Sequence, residues 1–260
     1  MRAHLLQLDS VWEDRAANLQ RAAELLRRAD PDRGDFVALP EMFDSGFSTN
    51  TGVTADRAGE SVGWLRREAG DRGVWIQAGI TQPVGEAFEN VAVVVGPAGE
   101  IAGRYSKTRL FPTEAGVLRE GTGPLVVPTG VSEWGGNLCP LVCYDLRFPE
   151  LFRAGLRAGA DWYCVGACWP RARLHHWRAL LIARAIENQA IVLGVTRCGR
   201  EPTVEYGGGS IAVGPKGDVL GELDDREGVL SVEMPWKDVA AWRRAFSAWR
   251  NPWSGAPVSG

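Results

Sequence analysis

Apolar positions recur along the chain in two rhythms. Short apolar runs bounded by Gly, Pro and Asp read as strands: residues 2 to 8, Phe36 to Leu39, Val74 to Thr81, Leu125 to Val127, Trp162 to Gly166 and Ala190 to Thr196. Stretches with an approximate 3.6-residue period read as helices. They cover Glu13 to Arg28, where Ala17, Leu19, Ala22, Leu25 and Leu26 form one face, then Ser61 to Asp71, Phe148 to Ala158 and Arg173 to Gln189. A last helix, Lys237 to Arg250, carries Val239, Trp242, Phe246 and Trp249 on one side, a stripe expected to be buried. The Gly/Ser/Pro-rich end from Ser254 to Gly260 is expected to fray.

Val91 to Val95 and Glu100 to Tyr105 form a hairpin across Gly96-Pro97-Ala98-Gly99. The same layout of strand, Gly-Pro-x-Gly, acidic residue and strand returns from Ser210 to Leu220. Either a common turn recurs by chance, or the chain holds two similar halves that face each other as an α-β-β-α sandwich.

Composition narrows the class. A chain of 260 residues, 45% hydrophobic and 23% charged, is read as one domain over residues 1–250 with a tail at 251–260. No apolar run is long enough to span a bilayer, and the N-terminus soon meets Asp9, Glu13, Asp14 and Arg15, so a cytoplasmic protein without a membrane partner is expected. The net charge of −3 and the lack of a Lys/Arg cluster argue against a nucleic-acid partner. Five cysteines without a Cys-x-x-Cys pair argue against a disulfide framework or a zinc site.

The chemistry gathers around Asn137 to Glu150. Leu138, Leu141 and Val142 read as a buried strand, and Pro149 sits in the first turn of the helix that follows, so Cys143 falls on the sharp turn between them. It is either one more buried small residue or a nucleophile whose neighbouring backbone N–H groups face a developing oxyanion. A nucleophilic thiol needs a base. The three histidines are poor candidates, since His4 lies in the first strand and His175 and His176 open a helix. Glu41, Lys107 and Glu114 remain at strand ends, and a buried carboxylate beside an ammonium can serve a thiol instead. Arg147 and Glu150 read as an ion pair that steadies the elbow, Asp145 as a cap of the following helix, and Cys139, Cys164 and Cys168 as packing residues.

Leu39-Pro40-Glu41-Met42-Phe43 with Gly46-Phe47-Ser48, Tyr105-Ser106-Lys107 with Leu110-Phe111, and Cys143-Tyr144-Asp145-Leu146-Arg147-Phe148-Pro149-Glu150 resemble the three blocks of the nitrilase superfamily of carbon-nitrogen hydrolases. His176-Trp177, Leu180-Leu181 and Ala183 to Gln189 resemble the helix that follows in that family. The resemblance runs from Leu6 to about Arg250 and implies the family's four-layer α-β-β-α sandwich. It implies Glu41 as general base, Lys107 as stabiliser of the oxyanion, Cys143 as nucleophile, Glu114 as a second carboxylate and the backbone N–H of Tyr144 as an oxyanion donor, with no cofactor or metal. Trp169-Pro170 followed by Arg173 resembles the omega-amidase branch, which acts on the terminal amide of small dicarboxylic acid monoamides such as 2-oxoglutaramate or succinamate; Cys168 stands where that branch usually has asparagine. Arg173, Trp169 and Phe47 are then the expected substrate contacts, with Arg173 reading a distal carboxylate. Hydrolysis of deaminated glutathione, N-carbamoyl compounds or nitriles, and a non-catalytic scaffold, are the competing expectations. The resemblance also implies at least a homodimer built on the helices after Cys143 and Pro170, with Phe152, Leu156, Trp177 and Leu181 as apolar candidates.

Overall fold

A computed structural model describes residues 1–132 and 135–251. In chain order it contains β1 (Arg2–Gln7), α1 (Arg15–Ala29), β2 (Phe36–Ala38), α2 (Thr51–Thr54), α3 (Glu60–Arg72), β3 (Trp75–Val84), β4 (Ala87–Val95), β5 (Ile101–Ser106), β6 (Val127–Ser132) and β7 (Gly135–Val142). There follow α4 (Pro149–Arg157), β8 (Trp162–Ala167), α5 (Leu174–Asn188), β9 (Ile191–Thr196), β10 (Cys198–Arg200), β11 (Glu205–Gly207), β12 (Ile211–Val213), β13 (Val219–Glu222), β14 (Gly228–Glu233) and α6 (Trp236–Ala245).

The strands build two six-stranded sheets, ordered β14-β1-β2-β3-β4-β5 and β13-β12-β9-β8-β7-β6. From β5 inward, the first sheet pairs antiparallel, antiparallel, parallel, parallel and antiparallel. From β13 inward, the second repeats that sequence of pairings. The two Gly-Pro-x-Gly turns occupy equivalent places, so the recurrence marks two similar halves.

Alternation along the strands explains the layering. Phe36 and Ala38 face the other sheet whereas Val37 and Leu39 face the helices, and Trp162 and Cys164 divide from Tyr163 and Val165 in the same way. One apolar cluster therefore lies between the sheets, a second joins the first sheet to α1 and α3, and a third joins the second sheet to α4 and α5. The result is the four-layer α-β-β-α sandwich.

Several expectations need correction. The strand expected at Leu125 to Val127 begins at Val127 and runs on as β6, because pairing with Leu138 starts there. Helix α6 stops at Ala245, and Phe246, with an extended backbone, is 53% exposed, so the aromatic stripe is not buried throughout. Phe152, Trp177 and Leu181, offered as apolar candidates for a dimer face, are buried in the cluster against the second sheet, and Leu156 is buried as well. The tail from Ser254 lies outside the described residues. Among the described residues no helix is long and apolar enough to cross a membrane.

Candidate active site

Glu41 follows β2, Lys107 follows β5, Cys143 follows β7 and Cys168 follows β8, so all four lie beyond strand C-termini, where the two sheets meet. The turn that carries Glu41 is wedged between the sheets. A Cβ on Gly79 of β3 would come within 2.5 Å of the Glu41 Cα, and one on Gly166 of β8 within 3.3 Å of its amide nitrogen. Glycine is required at Gly79 because backbone, not a movable side chain, occupies that space.

The carboxylates and the ammonium form one buried network. Lys107 Nζ donates to Glu41 Oε1 at 2.7 Å and to Glu114 Oε2 at 2.6 Å. Asn90 completes it: its Nδ2 donates to Glu41 Oε1 at 2.7 Å and to Glu114 Oε1 at 2.8 Å, while its backbone carbonyl accepts the Lys107 N–H at 2.8 Å. Glu41 Oε2 accepts the Cys168 N–H at 2.9 Å, and Glu114 Oε2 the Phe111 N–H at 2.7 Å. All of Glu41, Asn90, Lys107 and Glu114 are fully buried. Burial alone would lower the Lys107 pKa, but Glu41 and Glu114 outweigh it and raise it, so the side chain stays an ammonium.

Cys143 opens a 3-10 turn, Cys143–Arg147, with φ of 44°, a left-handed conformation that a non-glycine residue holds only when its surroundings compel it. Burial pushes its thiol well above the ordinary range, the Glu41 charge adds to this, and the Lys107 ammonium pulls back. At neutral pH the resting sulfur carries its proton.

The thiol opens onto a cavity of about 470 Å³. Phe47, Tyr144, Trp169 and Arg173, all anticipated from sequence, line it, and Phe111 joins them. The Phe111 ring stacks edge-on with both Phe47 and Tyr144, at 6.2 and 5.4 Å between centroids, and the Lys107 ammonium lies 5.5 Å from the Phe47 ring centre. The Arg173 guanidinium lies 5.8 Å from the Phe111 ring centre. Glu41, Lys107 and Glu114 stand behind this wall.

Three cavity or turn residues, Arg147, Cys168 and Asp145, depart from their sequence readings. Arg147 makes no ion pair with Glu150; it lines the cavity with its guanidinium 4.9 Å from the Trp169 ring centre, because the turn aims it inward while Glu150 is exposed. Cys168 lines the cavity too, its carbonyl 3.9 Å from the Cys143 sulfur. Asp145 does not cap α4, since its carboxylate turns back toward Val142, Arg109 and Tyr105. Glu201, in the loop between β10 and β11, lines the cavity and accepts the Phe47 N–H at 2.8 Å and the Tyr206 hydroxyl at 2.6 Å, besides pairing with Arg197. Asn90 and Glu201 were missed by the sequence reading. Asn90 stands directly before the apolar run Val91 to Val95, beside Glu89, and carried little signal of its own; Glu201 had none.

Of the histidines, His4 is buried between Asp35 and Ser231, and His175 and His176 are exposed. The cavity thus presents a thiol on a strained turn, backed by a carboxylate, an ammonium and a second carboxylate, an arrangement suited to nucleophilic attack by the thiol on an electrophilic carbon. The carbon-nitrogen hydrolase family model matches residues 2–244. The chain is 33% identical over 245 residues to the 2-oxoglutaramate amidase of Bacillus subtilis (strain 168), with 93% of each chain covered. It is 32% identical over 250 residues to the omega-amidase YafV of Escherichia coli (strain K12), covering 95% of this chain and 94% of that one. Its fold is similar to the crystal structure of XC1258 from Xanthomonas campestris, a CN-hydrolase superfamily protein, with a TM-score of 0.89 at 30% identity over 100% of this chain and 99% of the other. The chain belongs to the carbon-nitrogen hydrolase family, within the nitrilase superfamily.

Proposed function

We propose that the protein is an omega-amidase: it hydrolyses the terminal amide of a small dicarboxylic acid monoamide to the acid and ammonia through a thioester on Cys143. The observation that carries the substrate class is a pair of guanidiniums, Arg147 and Arg173, in the same cavity as the Cys143 sulfur, neither of them in an ion pair among the described residues. Arg171, by contrast, is exposed and paired with Glu205 and Asp225. Guanidiniums against aromatic walls and free of carboxylate partners, Arg147 meeting only the His176 Nδ1 at 3.5 Å besides its ring contact, suit a carboxylate held at the far end of a short chain. The names of the Bacillus and Escherichia relatives support the same class.

The reaction begins with the sulfur protonated, so attack and proton removal are coupled. Cys143 adds to the amide carbon as Glu41 takes the thiol proton. The oxyanion is met by Lys107 and the backbone N–H of Tyr144, donors fixed before the charge develops. Glu41 returns the proton to the departing ammonia, then draws one from the water that cleaves the thioester. Glu114 and Asn90 keep Lys107 and Glu41 in place throughout.

Ammonia release from a charged monoamide, a neutral amide of equal length, a nitrile and an N-carbamoyl compound tests the reading. Arg173→Ala and Arg147→Ala should each lose roughly 2 to 4 kcal/mol of transition-state binding on the dicarboxylate monoamide and little on the neutral amide. Equal losses on both, or faster turnover of the nitrile or carbamoyl compound by the unaltered enzyme, would overturn it.

A further inference from the structure

The thiol and the ammonium reach the site from different sheets, Cys143 at the end of β7 and Lys107 at the end of β5. Asp145 touches both approaches. Its Oδ2 accepts the Val142 N–H at 3.0 Å, one residue before the thiol, and the Tyr105 hydroxyl at 2.8 Å, two residues before the ammonium. Its Oδ1 accepts the Arg109 N–H at 2.9 Å, two residues after the ammonium. The side chain is fully buried. Meanwhile the far end of the Cys143 turn is fastened by Arg184 of α5, whose Nε and Nη2 donate to the Leu146 carbonyl at 3.2 and 2.8 Å.

We propose that Asp145 is a positioning residue that sets the Cys143 sulfur against the Lys107 ammonium across the two sheets, on the reading of Cys143 as nucleophile given above. A turn-forming aspartate needs only the contact to Val142. The contacts to Tyr105 and Arg109 serve the other sheet, and they bracket Lys107 on both sides. The role requires an acceptor at both oxygens, which asparagine cannot supply, because its amide nitrogen would face an N–H or a hydroxyl donor. Burial raises the Asp145 pKa to about 6, with Lys107 and the three donors pulling back, so the group is ionised at neutral pH.

The test is the rate at which iodoacetamide alkylates Cys143 at fixed neutral pH, read at that residue by peptide mass spectrometry. It is compared in the wild type, Asp145→Asn and Tyr105→Phe, each with folding checked by circular dichroism. Looser packing would expose a buried thiol and speed its alkylation, whereas loss of the neighbouring ammonium disfavours the thiolate and slows it. Expected is a slowing of about tenfold for Asp145→Asn, the equivalent of one pKa unit, and a smaller slowing for Tyr105→Phe. A folded variant alkylated at least as fast as wild type would overturn the proposal, and Tyr105→Phe decides alone where Asp145→Asn does not fold. Alkylation needs no substrate, so a wild type inactive on every amide would sink the amidase reading while this comparison still decides the role of Asp145.

Discussion

Lys107 and Glu41 are 66 positions apart in the chain, yet their charged groups meet at 2.7 Å with neither side chain exposed. Such a pair, taken with Glu114, is balanced only as a set. Lys107→Met would leave two buried carboxylates without their cation, at a cost of about 3 to 5 kcal/mol in stability. Lys107→Arg keeps the charge but spreads it over a plane too large for the same space, and should lose about a hundredfold in activity or more. Urea unfolding of the first variant and ammonia release by the second measure these effects. Wild-type turnover by Lys107→Arg would remove Lys107 from the chemistry.

Cys143→Ala and Cys143→Ser should lose turnover while keeping the fold, since the volume change is small and the site borders a cavity. Ammonia release and a circular dichroism melt separate the two properties. Near-normal release by purified Cys143→Ala would rule out the thioester.

Gly79→Ala tests the placement of Glu41. The added methyl would meet the Glu41 Cα at 2.5 Å, and the turn can give way only by moving the carboxylate. We expect at least a tenfold fall in kcat together with about 1 to 3 kcal/mol of destabilisation from overpacking. A variant with unchanged kcat would show that the turn has room to spare.

His4 supplies a test of pH dependence away from the site. Burial lowers its pKa, although the hydrogen bond to Asp35 pulls it upward. Below about pH 6.5 the unfolded chain binds a proton here that the folded chain resists, so stability falls with pH until the lowered folded pKa is passed, by up to about 1.4 kcal/mol per pH unit. His4→Gln should flatten that part of the profile in urea titrations between about pH 7 and pH 5. An unchanged slope would assign the acid sensitivity to other groups.

The short apolar runs Phe36 to Leu39 and Trp162 to Gly166 and the 3.6-residue rhythm of the first helix made strands and helices legible in the sequence, because these patterns answer to local geometry and to which face is dry; the repeated Gly-Pro-x-Gly turns left chance and two similar halves both open until the family resemblance favoured the halves. The blocks around Glu41, Lys107 and Cys143 were legible as motifs, since each lies within a few residues of a strand end. Distant partners were not. The pairing of β14 with β1 joins the two ends of the chain, and neither segment carries a mark of the other. Asn90 gains its meaning only when β4 brings it beside Glu41 and Glu114, and Asp145 only when β5 lies against the turn after β7. Arg147 and Glu150 have the spacing of a helical ion pair, but the chain there is a 3-10 turn joined to a helix, and the turn sends the guanidinium to the aromatic wall. Local pattern decides which elements form and which face they bury. Which polar groups meet is decided by the packing of one sheet on the other, where a buried donor or acceptor must find whatever partner the opposite layer presents.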